Sequence, residues 1–264
     1  MYSFRLLLAS ALLTLVTVSA EAGVVESVNI GLNDVIATVE KSYTGPLQSV
    51  TADFAQRSTL AAKEREMRAV GQMFLKTATA NAPLMFRFDY FRPTTQQILC
   101  DGKTLWMYMP ENRQVILSDV SFVFNPFNFD PSRDRATNFL QGLGRISKDF
   151  QINFSSQRQD IDGNYILELT PRRASVSIEK LFIVVNRNSV MLFVQGGKNI
   201  NALANPSRPE LLFPVLSTTM VDHQGNTTLM EFSNIKTNVW LADSLFKFVV
   251  PAGVQVVRPP RGGQ

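Results

Sequence analysis

Two residue types that could support nucleophilic catalysis each occur once in this 264-residue chain, as Cys100 and His223. A thiol activated by an imidazole is a nucleophile for acyl transfer. Cys100, however, stands in an apolar pattern beside a hairpin turn, where cysteine usually packs as a small hydrophobic residue. His223 stands in Asp222-His-Gln-Gly-Asn226, a run of turn formers that predicts an exposed hairpin tip. A thiol-dependent enzyme that uses Cys100 and His223 is therefore kept only as an alternative.

Other patterns for catalysis or cofactor binding are missing from the sequence. A metal site needs several His, Cys or carboxylate side chains at ligand spacing, and no such group occurs. The sequence contains neither a glycine-rich phosphate loop nor a nucleophile elbow. Its net charge of +4 is spread along the chain, without the basic run typical of nucleic-acid binding. We expect no catalytic residue, no metal, no cofactor and no nucleic-acid partner.

Apolar faces of strands are the feature that remains. The run 85–92 alternates strictly, with its aromatic side chains on one face. The run 105–109 has no polar face. Trp106 and Tyr108 point one way, and the apolar side chains at 105, 107 and 109 point the other. An antiparallel sheet usually shows one polar face to water, so a hydrophobic ligand is one way to cover such a strand. The candidate cavity residues are Phe74, Phe86, Phe88, Tyr90, Ile98 and Trp106. The alternative is a filled core beneath an N-terminal helix.

Short strands and turns dominate the chain and must position these residues. A helical pattern covers 27–43, and strands are predicted over 47–57, 70–76, 84–91, 98–117 as a meander, 151–157, 165–170, 181–186, 216–222, 229–235 and 246–250. Residues 195–214 are predicted to be an inserted loop. The fold class is mainly β (α+β): one strongly curved, incomplete antiparallel β-barrel, since a large twisted sheet must curl or close.

A segment of different texture interrupts the strands between 119 and 150. Four phenylalanines among proline-containing turns precede a helical stripe softened by two glycines. The stripe residues Phe139, Leu140 and Leu143 are predicted to act as a mobile lid over the apolar face. The alternative is an ordinary connecting helix in the core.

The first 22 residues predict an export signal. Arg5 provides the positive start, 6–18 is apolar, and Ala20-Glu-Ala22 fits the small-x-small cleavage rule. The alternative is a retained N-terminal anchor. We expect a signal peptide over 1–22, a single domain over 23–257 and a disordered tail over 258–264. Gly23, not cysteine, would be the first mature residue, so no lipid anchor is expected.

Several motifs together resemble the LolA family of periplasmic outer-membrane lipoprotein carriers. The matching segments are 50–56, 71–76, 83–93, 98–108, 222–238 and 246–254, and the most specific is Asp101-Gly-Lys-Thr-Leu-Trp106. The resemblance implies an incomplete barrel closed at one side by helices, with a hydrophobic cavity for acyl chains. It also implies the periplasm as the location, acylated lipoproteins as cargo, an inner-membrane ATP-driven release complex as donor and an outer-membrane acceptor. By position, Phe86, Phe88 and Ile98 correspond to cavity residues of the family.

Two departures separate this sequence from well-known family members. In those members an arginine precedes the proline that corresponds to Pro83 and latches the lid, whereas this chain has Ala82. The candidates for a replacement latch are Arg87, Arg133, Arg135 and Arg145, of which Arg87 and Arg135 are preferred. The stretch 189–212 is longer than the family pattern implies. We expect a monomer, and a carrier or sensor of another lipid or glycolipid on the same fold stays as the alternative function.

Overall fold

The computed structural model describes residues 29–63, 65–79, 82–119, 142–175 and 177–258. The strands of this part of the chain are β1 Ser49–Leu60, β2 Arg65–Lys76, β3 Met85–Arg92, β4 Gln96–Cys100, β5 Thr104–Met109, β6 Gln114–Asp119, β7 Phe150–Gln159, β8 Tyr165–Pro171, β9 Lys180–Val185, β10 Val215–Val221, β11 Thr227–Thr237 and β12 Gln255–Val257. The α-helices are α1 Leu32–Thr44, α2 Ile146–Asp149 and α3 Arg187–Gln195. Single 3-10 turns cover 61–63, 110–112, 143–145, 200–203, 209–212 and 243–246.

All twelve of these strands belong to one sheet, in the order β12-β6-β5-β4-β3-β2-β1-β11-β10-β9-β8-β7. Neighbours pair antiparallel except β12, which lies parallel to β6. Strands β7 and β12 lie at the two ends, so the sheet is not closed. Inner residues of β3 and β8 nevertheless share one core cluster, because the sheet curls around it. The prediction of a strongly curved, incomplete antiparallel barrel is confirmed.

The face of the sheet that carries this core cluster is called the inner face here. Helix α1 lies against it and buries Val35, Val39 and Tyr43. The carboxylate of Asp34 accepts a hydrogen bond from the Gly31 backbone N–H at 3.1 Å and so caps the first turn of α1. The helix begins within the predicted range 27–43 and ends one residue beyond it, at Thr44. Buried apolar side chains at helical spacing thus hold α1 against the inner face.

The opposite face, called the outer face, has a smaller apolar cluster under the C-terminal segment. Leu99 and Phe246 are buried but lie outside the inner core cluster. The Phe248 ring packs against Trp106 and Tyr108, with centroid distances of 6.4 and 5.3 Å. Residues 243–248 therefore lie against the outer face of the sheet, and β12 then joins the sheet beside β6.

Two predicted segments differ from the structure. The strand predicted over 246–250 is wrong, because 243–246 forms a 3-10 turn and 247–250 is irregular. The inserted loop predicted over 195–214 contains two 3-10 turns, and Leu203, Leu212 and Phe213 pack into the core cluster. No helix of the described ranges has the length and apolar character that a bilayer span requires. The predicted signal peptide, and the tail from residue 259, lie outside the described residues.

Candidate functional site

Aromatic side chains of β3 are buried on the inner face. Phe86 and Phe88 are 1% and 0% exposed, and their rings meet edge to face with centroids 5.9 Å apart. Phe54 on β1 contacts the rings of Phe88 and Tyr90 at 5.6 and 4.8 Å. Tyr90 is also buried, and its hydroxyl donates a hydrogen bond to Gln56 Oε1 at 2.9 Å. Burial raises the pKa of Tyr90 to about 12.

The register of the sheet extends this aromatic wall across β4 and β5. Ile98 lies opposite Phe88, and Met107 lies opposite Ile98. Directly paired residues of antiparallel strands share a face, so all three side chains lie on the inner face. The structure thus brings together four of the six candidate cavity residues, namely Phe86, Phe88, Tyr90 and Ile98. It also assigns the faces of β5, with Met107 inside and Trp106 outside.

Methionines line the same face and were missed as site residues. Pairing and alternation place six of the nine methionines on the inner face: Met67, Met73, Met107, Met109, Met220 and Met230. Met73 is fully buried, whereas Met67 is 42% exposed. Methionine is unbranched and polarizable and adapts to irregular apolar shapes. Met107 and Met109 at alternate positions of one strand were the signal in the sequence.

Two candidate cavity residues, Phe74 and Trp106, lie on the outer face instead. Phe74 pairs with Arg87, and Trp106 pairs with Leu99. Their placement follows from the register, since Leu75 pairs with Phe86 and fixes the faces of β2. Phe74 and Trp106 are therefore turned away from the candidate cavity.

The structure describes only some of the residues predicted to form the lid and its latch. The predicted lid residue Leu143 is fully buried in the core cluster, in the 3-10 turn at 143–145. This turn packs tightly on the end of α1, because a Cβ added at Gly144 would lie 3.1 Å from Thr44 Cγ2. Phe139, Leu140, Arg133 and Arg135 lie outside the described residues.

The remaining latch candidates are paired elsewhere. Arg87 Nε lies 2.9 Å from Asp89 Oδ2, and both residues stand on the outer face of β3. Arg145 bonds to Asp149 one helical turn later, at 3.0 Å. Arg87 therefore lies on the outer face, paired with Asp89, and does not point toward the inner face.

Cys100 and His223 do not form a catalytic pair. Strands β3, β2 and β1 separate the strand of Cys100 from the β10–β11 hairpin. Along the strand direction, Cys100 lies near the level of the first residues of β1, and the hairpin tip with His223 lies beyond its last residues. Burial raises the pKa of the Cys100 thiol to about 12, although the Gly102 N–H donates to its Sγ at 3.4 Å. His223 Nε2 lies 2.6 Å from the Ser175 carbonyl oxygen. Among the residues that the structure describes, no group of three or more His, Cys, Asp or Glu could hold a metal ion.

Comparison with known proteins gives a consistent family match. The family model described as "Outer membrane lipoprotein carrier protein LolA" matches residues 46–195, more than half of the chain. An outer-membrane lipoprotein carrier protein of Bordetella avium is 28% identical over 218 residues, which are 83% of this chain and 85% of the relative. A protein of the same name from Ralstonia nicotianae is 24% identical over 258 residues, 96% of this chain and 97% of the relative.

A solved structure overlaps at a lower level. An uncharacterized conserved protein from Thermus thermophilus is 12% identical, covers 86% of this chain and 98% of its own, and has a TM-score of 0.46.

Proposed function

This chain belongs to the LolA family of outer membrane lipoprotein carrier proteins, and we propose that its curved sheet binds the acyl chains of lipoproteins and carries them between membranes. Relatives that share the carrier name extend over most of the chain, and their names denote a carrier, not an enzyme. The observation that carries the proposal is the inner face. Its wall of phenylalanines continues into methionines across strands of both halves of the sheet.

Energetics explain why such a face suits an acyl chain. Each buried methylene contributes about 0.8 kcal/mol, so one chain of about 16 carbons gains on the order of 10 kcal/mol. An acyl chain of that length cannot cross water unshielded. Shielding it from water is the task of a carrier. Because Phe86 and Phe88 are almost fully buried in the described protein, cargo must separate α1 from the sheet or displace side chains. Flexible methionines beside the phenylalanines reduce the cost of that rearrangement.

The route follows from the family and from the first 22 residues. We propose that residues 1–22 direct export and are removed, and that 23–257 act as one domain in the periplasm. The donor would be an inner-membrane ATP-driven release complex, and the recipient an outer-membrane acceptor. The protein would work as a monomeric chaperone without a cofactor or catalytic residue.

The central experiment is mass spectrometry of material that co-purifies with the native protein from its own host. The expected result is a triacylated protein, retained under native conditions and lost in detergent. Retention of a glycolipid or another lipid instead would favour the alternative carrier. No retained lipid of any kind, together with no binding of a synthetic triacylated lipopeptide, would refute acyl-chain binding.

A pair of variants on β3 locates the binding face. Phe88→Leu keeps an apolar side chain at a position that is 0% exposed, while Phe91→Leu changes one that is 56% exposed. We expect weaker lipopeptide binding from the first variant and unchanged binding from the second. Equal binding by both would place the cargo elsewhere on the molecule.

A further inference from the structure

One buried polar group stands out in the core. Tyr43, in the last turn of α1, is 7% exposed, and its hydroxyl makes no hydrogen bond. No other buried side-chain nitrogen or oxygen of the described residues lacks a partner in this way. Tyr90 shows the usual arrangement, since its hydroxyl donates to Gln56. A buried hydroxyl without a partner loses its hydrogen bonds to water and gains none, so it costs stability and calls for an explanation.

The position of Tyr43 connects this hydroxyl to the proposed acyl site. The Tyr43 ring contacts Phe213 with centroids 6.0 Å apart, and Phe213 meets Phe232 edge to face at 5.7 Å. Phe232 pairs across the strands with Phe54. Phe54 in turn contacts Phe88, so a series of aromatic residues in the core cluster leads from Tyr43 to the aromatic wall of β3.

The surroundings of Tyr43 leave the hydroxyl as a donor and not as a charged group. Burial raises the pKa of Tyr43 well above its usual value, so the proton stays on the oxygen. The 3-10 turn at 143–145 packs against the same end of α1. A phenol in an apolar enclosure therefore offers one O–H to whatever enters it.

We propose that the Tyr43 hydroxyl donates a hydrogen bond to the carbonyl oxygen of a bound acyl ester or amide. This inference rests on the proposed function. An acyl chain differs from a plain hydrocarbon by its carbonyl, which is an acceptor without a proton. The carbonyl would lie at the end of α1, and the hydrocarbon tail would follow the ring series Phe213, Phe232, Phe54 and Phe88. Tyr43 would then distinguish acyl chains from alkyl chains, which apolar contacts alone discriminate poorly.

A matched pair of ligands tests this directly. Palmitoyl-lysophosphatidylcholine and its hexadecyl ether analogue differ only in the carbonyl oxygen, and both are titrated below their micelle concentrations. Wild-type protein should bind the acyl lipid about 5-fold more tightly than the ether, as one neutral buried hydrogen bond allows. Tyr43→Phe should bind the two lipids equally. It should also melt a few degrees higher without ligand, because a buried unsatisfied hydroxyl is removed.

Control variants keep the outcomes distinct. Tyr90→Phe removes a hydroxyl that has a partner, so it should melt below wild type. If wild type and Tyr43→Phe show the same acyl preference, or neither shows one, the carbonyl contact is overturned while the carrier function stands. If wild type binds neither lysolipid nor a triacylated lipopeptide, the proposed function fails, and this inference with it.

Discussion

Arg87 Nη1 donates a hydrogen bond to the carbonyl oxygen of Leu245 at 3.2 Å, across 158 positions of the sequence. The same guanidinium pairs through Nε with Asp89 on its own strand. The 3-10 turn at 243–246 is thereby fixed against the outer face of β3. Arg87, a candidate latch for the predicted lid, therefore attaches the C-terminal segment to the outer face of the sheet.

Replacing Arg87 by alanine should lower the free energy of unfolding by about 1–2 kcal/mol, because the half-buried Asp89 and the Leu245 carbonyl lose a partner. Arg92→Ala, at an exposed position of the same strand, should change it by less than about 0.5 kcal/mol. Urea unfolding measures both. Equal effects would show that the contacts of Arg87 with Asp89 and Leu245 contribute nothing.

Ile98 and Trp106 stand on opposite faces of neighbouring strands and separate cargo binding from stability. Ile98→Ala should cost about 2–5 kcal/mol and weaken lipopeptide binding about 10-fold, since cargo loses apolar contact. Trp106→Ala should also destabilise the protein, because Phe248 loses its partner ring. Its lipopeptide affinity should match wild type. Loss of affinity in Trp106→Ala alone would reverse the assignment of faces.

Cys100 should be inert in the native protein. With a pKa of about 12, the thiol should react with iodoacetamide at pH 8 on the order of a thousand-fold more slowly than an ordinary cysteine. Guanidinium should restore the rate. Because the folded pKa is raised, the unfolded chain loses the thiol proton first. The free energy of unfolding is therefore unaffected by Cys100 below about pH 8.5 and falls as the pH rises from there through 12. Cys100→Ala should carry cargo normally, whereas a thiol enzyme would lose its activity.

Asp34 and Lys198 join α1 to the segment after α3 through a 2.7 Å ion pair. The hydrogen bond from Lys198 is the main cause that holds the Asp34 pKa below 3.8. A lowered folded pKa stabilises the protein above the unfolded pKa, and the effect disappears as the pH falls through the folded value. Because Lys198 is 58% exposed, Lys198→Met should cost well under about 1 kcal/mol at neutral pH.

The pH dependence provides the control for that ion pair. The difference in melting temperature between wild type and Lys198→Met should shrink below about pH 4 and in high salt. Lys148→Met, at an exposed position, should follow wild type at every pH. A constant difference down to pH 2 would assign the effect of Lys198 to packing.

The sequence predicted the strands well where alternation and turn formers agree, as in β3 and the β4–β6 meander. It could not predict which face of β2 lies inside, because the parity of Phe74 relative to Phe86 depends on the connection between the strands. The face of Trp106 could not be predicted for the same reason. Helix α3 was missed even though Asn186 caps it by accepting from the N–H groups of 188 and 189. Tyr43 had no signal at all, since a missing hydrogen-bond partner is a property of the packed core.

The order of the strands also constrains how the protein can be made. Strands β1 to β6 and β7 to β11 are two local meanders, each of which pairs along the chain. Among the described strands of these meanders, only the β1–β11 pair joins one to the other, where Phe54 meets Phe232. The first meander is synthesised early, but its edge strand β1 stays unpaired on one side until β11, near the end of the chain, has been made. Closing so long a loop is slow, so the newly made chain leaves the β1 edge unpaired until β11 has been synthesised.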